Sequence, residues 1–494
     1  MHDVTHDERA DQRADNSVPS RRRRLKAWPS ILIYKERSGT LFETGKVHND
    51  IYDAFKKDPN APLVIERPPL FSSAAAAQDE GNPTAAVGRF GAMLLPLEYT
   101  SWVDESASHV DTCYLGDWSP LSKAQIRGPG AHEFLSRLGT NNLGKFRLGT
   151  SKHHVQLDEN GWIASEGILR RTGEQEYVYT AGSTSWLHWQ AGQIGGDVEV
   201  TDVSAQNFIF GVQGPRSLAV LQLLTDEDLS SIPFNGSTRI EVAGTAVDVL
   251  RTGISGELGY ELHGPSEAGN EIWRAVRDAG VDHDLRQLGF RSQPVQHVEA
   301  GIATNGLDFL SAAILTPGGP WEFKRGLPGG SFVPNDLTDY FRRPGELGWG
   351  GRVHLDHEFI GRDALTSADA TGGPARTLVG LEWNTDDVVA IYHTLFEPGD
   401  RVDPMELPKS LTPSFDRVMV EGTDVGVSSG REYSANLRST LSLAVIDRTH
   451  AEPGTAVVVV WGRPGTRQVL VRATVRDLPF KPDRRRSDTT AVKR

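Results

Sequence analysis

Several short clusters in this 494-residue sequence carry side chains that could do chemistry. Gly426-Val427-Ser428-Ser429-Gly430 fits the GxSxG pattern of a serine nucleophile. That pattern works only where a strand turns sharply into a helix. Here Arg431-Glu432-Tyr433-Ser434 leads into more strand-like sequence, so a Gly/Ser turn is expected instead. His354-Leu355-Asp356-His357-Glu358 sets two histidines three residues apart, a spacing that can share a helix face and hold a metal. No second group at zinc-ligand spacing accompanies it and a loop-like run follows, so no metal site is expected. His153-His154 is ambiguous between a packed and a reactive pair. Cys113 is the single cysteine, which excludes an intramolecular disulfide and any Cys-cluster site. It reads as a small buried apolar residue. The GxGxxG and GxxxxGKS/T patterns are absent, which disfavours dinucleotide-dependent and P-loop chemistry.

The elements that must position such residues follow from length and pattern. At ~150 residues per domain the chain has room for about three. Hydrophobic residues make up 38% and charged residues 24%, a globular balance. No run reaches the roughly 18 apolar residues of a membrane span. Lys+Arg is 52 against Asp+Glu 65, a net charge of -13, which argues against general nucleic-acid binding. Met1-His2-Asp3 opens no apolar leader, so a cytoplasmic protein is expected. Residues 1–28, with Arg21–Arg24, read as a solvated disordered tail, and 481–494, with Arg484–Arg486, as a basic tail. Residues 67–90 read as a flexible insertion or long loop. From about 94 to 365, strands alternate with helices. Asp197–Val203 is strand-like, Arg239–Leu250 reads as two strands around Ala243-Gly244, and Leu218, Leu221 and Leu224 follow Pro215 at helical spacing. Pro265–Ala279 reads as a helix stopped by Gly280. After Thr371-Gly372-Gly373-Pro374, short strands at Thr377–Leu381, Leu441–Ile446, Thr455–Trp461 and Gln468–Val475 suggest a barrel or sandwich over 375–480.

Four segments in order carry a resemblance. They are Gly211-Val212-Gln213-Gly214-Pro215, Arg251-Thr252-Gly253-Ile254-Ser255-Gly256-Glu257-Leu258-Gly259-Tyr260-Glu261, His297-Val298-Glu299-Ala300-Gly301, and Gly430-Arg431-Glu432-Tyr433-Ser434 with Leu441-Ser442-Leu443-Ala444 and Pro453-Gly454. Together they resemble the glycine-cleavage T-protein (aminomethyltransferase) family. Gly329-Gly330-Ser331-Phe332-Val333, Asp339-Tyr340, the run Asp356–Leu365 and Trp383-Asn384-Thr385-Asp386-Asp387 are similar to one branch of it. That branch holds the tetrahydrofolate-dependent aryl O-demethylases of vanillate and syringate, and enzymes that open methylenedioxy bridges of lignan-type aromatics. The resemblance implies an α+β, three-lobed fold: two α/β lobes over 29–370 around a central folate channel, then a C-terminal β-barrel.

It also implies roles. Glu261 takes the position of the carboxylate that binds the pterin, where one carboxylate accepts two adjacent N–H groups. Gln213, Glu299 and Tyr340 are implied around the folate. Glu166, in Gly161–Leu169, takes the place of a carboxylate near the reacting folate nitrogens. The expected histidine and tyrosine of the demethylases fall on Pro120 and Ser266, so another group must assist a phenolate of ordinary pKa near 10 to leave. Tyr260 and His263 are the catalytic candidates, with His153, His154 and Tyr340 as substitutes. The implied reaction moves a methyl or methylene unit from a small aromatic ether to tetrahydrofolate, with no metal and no obligatory protein partner. A non-aromatic donor, or a folate-binding protein without turnover, stays open as an alternative.

Overall fold

The computed structural model describes residues 70–316, 328–369, 373–407 and 412–489. The tail expected over 1–28 lies outside them, as do Thr371 and Gly372 of the expected boundary. In chain order the elements are β1 (Leu70–Phe71), α1 (Ala75–Gly81), β2 (Val87–Phe90), β3 (Met93–Pro96), α2 (Trp102–Asp111), β4 (Cys113–Asp117), β5 (Ser122–Arg127), α3 (Ala131–Leu138), β6 (Ser151–Leu157), β7 (Ile163–Gly173), β8 (Glu176–Ala181), α4 (Ser185–Ile194), β9 (Glu199–Asp202) and β10 (Asn207–Gln213). They continue with α5 (Ser217–Gln222), β11 (Ser237–Val242), β12 (Thr245–Leu250), β13 (Gly259–Pro265), α6 (Gly269–Ala279), β14 (Leu285–Leu288), α7 (Gln293–Glu299) and α8 (Arg362–Asp369). The last set is β15 (Arg376–Trp383), α9 (Thr385–His393), β16 (Asp416–Val420), β17 (Thr423–Ser434), β18 (Ser439–Asp447), β19 (Ala456–Trp461) and β20 (Val469–Arg476).

Two sheets carry the site. One runs β11-β12-β13-β10-β4-β14, and the other β6-β7-β8-β5-β9. The second is inserted in sequence between β4 and β10 of the first, so two neighbouring strands of one lobe bracket the whole of the other. Strand alternation decides what each face carries. On the first sheet Phe208, Phe210 and Val212 of β10 join Tyr260 and Leu262 of β13 in a core covered by Ile272, Trp273 and Val276 of α6. Ile209, Gly211, Gln213, Glu261 and His263 take the other face. On the second sheet Ala124, Ile126, Leu169, Tyr177 and Tyr179 build a core with Trp186 and Leu187 of α4. His153, Glu166 and Arg170 take the opposite face. Arg170 Nη2 donates to Asp248 Oδ2 at 2.8 Å, linking the two non-core faces.

Several expectations are corrected. From Leu70 onward the stretch read as a flexible insertion holds α1 and the sheet β1-β3-β2. Ala74 and Ala77 are fully buried, because methyl side chains let this helix lie close against α6. Ser72 Oγ and Gln78 Nε2 donate to Asp117 Oδ2, at 2.7 Å for Gln78. The helix expected from Pro265 begins at Gly269, because Pro265 still pairs with Asn207 and a 3-10 turn follows. The GxSxG run is neither elbow nor turn, since it lies inside β17. Gly430 marks a bulge there, with φ 53° and a register shift between Ser429 and Glu432.

The final six strands close a barrel in the order β15-β18-β17-β16-β19-β20. Its core includes Val379, Leu381, Val418, Ile446, Val459 and Val471. The described part of the expected basic tail is docked rather than solvated. Lys481 Nζ pairs with buried Glu257 at 2.7 Å, Arg484 N donates to Gly256 O at 2.7 Å, and buried Arg251 donates to Thr489 Oγ1 at 3.0 Å and to Ser487 O.

Candidate active site

Two carboxylate–histidine pairs lie on the non-core faces that Arg170 and Asp248 join, one on each sheet. On the first sheet Glu261 Oε2 lies 3.0 Å from His263 Nε2, two residues along β13. Burial, with Arg170 nearby, holds the His263 imidazole below its ordinary value against the opposing pull of Glu261. It is therefore neutral at pH 7 and orients one carboxylate oxygen by a single N–H. On the second sheet His153 Nε2 lies 2.9 Å from Glu166 Oε2. His153 pairs with Ile168 and Val155 with Glu166, so the two side chains sit diagonally on one face. Trp349 presents its ring to His153 at 4.8 Å, edge-on. Asn305 N donates to Glu166 Oε1 at 3.5 Å.

The ionic tie between the faces is well satisfied. Burial alone would raise the Asp248 carboxyl, but hydrogen bonds from Arg239 and Arg170 more than reverse that and leave it lowered. Such a charge-assisted network can hold the lobes in register.

The surroundings of Glu261 fit a pterin. Gly211 pairs with Glu261 on one side and with Gly116 on the other, so two glycines flank the carboxylate row. A Cβ on Gly211 would strike Trp118 Nε1 at 2.7 Å, so glycine lets the indole lie against the strand. Trp118 Nε1, Gln293 Oε1 and Gln296 Nε2 are buried without a hydrogen-bond partner. Tyr114 Oη donates to Gln296 Oε1 at 2.8 Å, which places α7 beside this row. Burial and the Glu261 charge push the Tyr114 phenol well above its ordinary value. A buried orphan donor or acceptor costs about 1–3 kcal/mol, so each of these three would gain from a polar ligand. Glu261, Gln293, Gln296 and Trp118 would hold it.

Gln213 lies two residues from Gly211 on the same face. Its Oε1 accepts from Ser255 N at 3.1 Å, so it shapes the 251–256 loop. The structure does not bring Tyr260 to this face: period-2 alternation turns it into the core, where its hydroxyl is pushed up to about 12 by burial. Tyr340 is buried among Phe332, Phe415 and Val427. Glu299 follows Gln296 by one turn of α7 but is fully buried, and His109, Ser434 and Asn436 occupy its oxygens. Burial would raise the Glu299 carboxyl, and those partners instead leave it lowered. It ties α2, α7 and β17 together. His154 turns to the core and donates from Nε2 to Leu135 O at 3.1 Å, and burial lowers it to about 4.

The remaining sequence clusters settle into structural roles. Cys113 is fully buried, with its thiol pushed up to about 12 by burial. His357 meets Gly139 O at 3.2 Å in a loop. Among the described residues no three His, Cys, Asp or Glu side chains are grouped to hold a metal. A cavity of about 1110 Å³ lined by Trp162, Trp186, Trp189, Phe341 and Arg343 shares no residue with either carboxylate pair.

Sequence reasoning missed Trp118, Gln293, Gln296, Trp349 and Asn305. Gln293 and Gln296, three apart ahead of His297-Val298-Glu299-Ala300-Gly301, carried the one signal available: helical spacing of two amides on one face.

Comparison with known proteins agrees with this architecture. Residues 79–313 match the GCVT N-terminal domain family. Sesamin methylene transferase from a Sinomonas species is 33% identical over 440 residues, covering 83% of this chain and 94% of that protein. Syringate O-demethylase from a Sphingobium species is 29% identical over 421 residues, covering 78% and 90%. The aminomethyltransferase of Geobacillus kaustophilus is 29% identical over 345 residues, covering 69% and 85%. The crystal structure of the glycine cleavage system aminomethyltransferase T from Bartonella henselae shares the fold, with a TM-score of 0.64 at 18% identity, over 84% of this chain and 99% of that one. On the lobes, the barrel and these matches, the chain belongs to the GCVT (glycine-cleavage T-protein) family.

Proposed function

We propose that this protein moves a one-carbon unit, methyl or methylene, from an aromatic ether to tetrahydrofolate and releases a phenol or catechol. The observation that carries the reading is a Glu–His pair on each of two linked sheet faces, one of them on the same face as buried polar atoms without partners. The relatives named for sesamin and syringate support the aromatic donor. Folate supplies a nucleophilic nitrogen that accepts the carbon. Glu261, held by His263, would accept two adjacent pterin N–H groups through its free lone pairs. Gln293 Oε1, Gln296 Nε2 and Trp118 Nε1 would satisfy the rest of the ring edge. Glu166 would stand at the reacting end as a fixed negative charge. Positioning of this kind lets the two reactants meet without further loss of freedom.

The reading places the enzyme in the cytoplasm, where reduced folate is available, in the breakdown of methoxylated or lignan-type aromatics. Among the described residues no helix is long and apolar enough to cross a membrane. The test is anaerobic incubation with tetrahydrofolate and vanillate, syringate or sesamin, with folate products read by mass. 5-Methyl-tetrahydrofolate identifies an O-demethylase, and 5,10-methylene-tetrahydrofolate a methylene transferase. Folate binding without turnover of any ether would refute the reading.

A further inference from the structure

The site lacks an obvious acid at the two positions where the demethylase pattern carries histidine and tyrosine, now Pro120 and Ser266. An aryl oxygen still has to leave. Among the described histidines, four are committed elsewhere. His154 faces the core and is neutral. His263 is buried, with 8% of its side chain exposed, and burial holds it below its ordinary value. His109 is fully buried against Glu299. His297 is buried 3.4 Å from Asp308. The hydroxyls of Tyr114 and Tyr179 are pushed well above the ordinary phenol value by burial.

His153 differs from all of these. It stands on the non-core face of β6, 19% exposed, against a Glu166 that is 18% exposed. The pair is thus sheltered but reachable. Its support is built from two sides. Trp349 fixes the ring edge-on. Asn305 N approaches the second oxygen of Glu166, and Asn305 Oδ1 is buried with no partner, an acceptor waiting beside the pair. The 304–308 loop that presents Asn305 is pinned by buried Asp308, whose Oδ2 takes Thr304 N at 2.8 Å and whose Oδ1 takes Ser429 Oγ at 2.9 Å. Gly430 makes room for this: a Cβ there would lie 2.4 Å from Asp308 Oδ1. The charged and titratable groups around His153 are Glu166 from β7, Lys152 and His154 on its own strand, and Arg352, whose charge acts on Glu166. Lys152 turns away to Asn142 O at 3.0 Å.

We propose that His153 is the proton donor to the ether oxygen that leaves, oriented by Glu166. This rests on the one-carbon transfer reading above. In the step, the carbon–oxygen bond breaks with its electron pair going to the aryl oxygen, and a carbon–nitrogen bond forms to folate. The oxygen takes a proton from the His153 imidazolium. The proton released by the attacking nitrogen restores the imidazolium, so one proton passes from nitrogen to oxygen overall. Asn305 Oδ1 is placed to accept from the newly formed hydroxyl.

The experiment compares wild type, His153→Gln and Glu166→Gln on an aromatic ether that the wild type turns over and on a ring-nitrated analogue of that ether. Nitration makes the phenolate a better leaving group and relieves the need for an acid. His153→Gln is expected to lose about 10²- to 10⁴-fold in kcat on the plain ether. It should keep folate affinity and stay within about tenfold of wild type on the nitrated one. Glu166→Gln should show the same pattern with a smaller loss. Equal losses on both ethers, or a lost folate affinity, would make His153 structural and overturn the proposal. A wild-type protein that turns over neither ether would instead overturn the functional reading, and the proposal with it.

Discussion

Replacing Glu261 by alanine isolates the pterin contact. In the structure one oxygen of Glu261 is held by His263 at 3.0 Å, and the side chain is 20% exposed. A pterin edge would bring two N–H donors to it. Hydrogen bonds to a charged group contribute about 1.5–3 kcal/mol each, so two are worth about 3–6 kcal/mol. At about 1.4 kcal/mol per tenfold, tetrahydrofolate affinity should fall roughly 10²- to 10⁴-fold. Glu261→Gln keeps the shape and one acceptor but not the charge, so it should lose about half that free energy. The assay is anaerobic titration calorimetry with tetrahydrofolate. Removing Glu261 also strands the buried His263 N–H, so melting temperatures of both variants must be taken alongside. A folded Glu261→Ala protein whose Kd lies within threefold of wild type would refute the pterin assignment and, with it, the orientation of folate in the site.

Gly211→Ala should push a Cβ into Trp118 Nε1, 2.7 Å away, and displace the indole. Folate affinity should drop with a shift in tryptophan emission, at an overpacking cost of about 1–3 kcal/mol; unchanged emission and affinity would show the indole is not held there. His154 is fully buried and lowered to about 4 from 6.5. Its folded-state pKa is below the unfolded one, so the unfolded chain takes up the extra proton, and stability present above pH 6.5 is lost as pH falls toward 4. The loss is about 3 kcal/mol at most, and His154→Gln should flatten that acid limb in denaturant melts at pH 4.5 and 7. Deleting residues from Arg484 onward should leave the buried Arg251 guanidinium without Ser487 and Thr489. That should lower the melting temperature by several degrees, and an unchanged value would mean the docked tail contributes nothing.

Strand periodicity was the most legible layer of this chain. The β11–β12 hairpin around Ala243-Gly244 and the four short strands after residue 375 stand where alternation and turn residues put them. Residues 70–90 were illegible for a physical reason. An alanine run has no apolar periodicity to distinguish a buried helix from a loop, and its anchor is Asp117, thirty-nine residues beyond Gln78. The fate of Glu299 was hidden in the same way, because its partners come from α2 and β17, 190 and 135 residues distant. Tyr260 is different. It precedes Glu261 on a strand, and consecutive strand residues point to opposite faces, so no single wall could hold both.

That alternation also explains why the site is divided between two sheets. Each sheet must cover one face with helices and can offer only alternate residues to the other. Glu261 and His263 are two apart on β13, and His153 and Glu166 are diagonal across β6 and β7, so each wall supplies one carboxylate with one imidazole. The two imidazoles are not equivalent. Burial and Arg170 keep His263 neutral, a donor that aims a carboxylate at a ligand. His153 is more exposed, at 19% of its side chain against 8% for His263, and lies 2.9 Å from Glu166. Arg170, reaching across to Asp248, fixes the separation of the walls, so a change in that one ion pair should alter binding at Glu261 and proton transfer at His153 together.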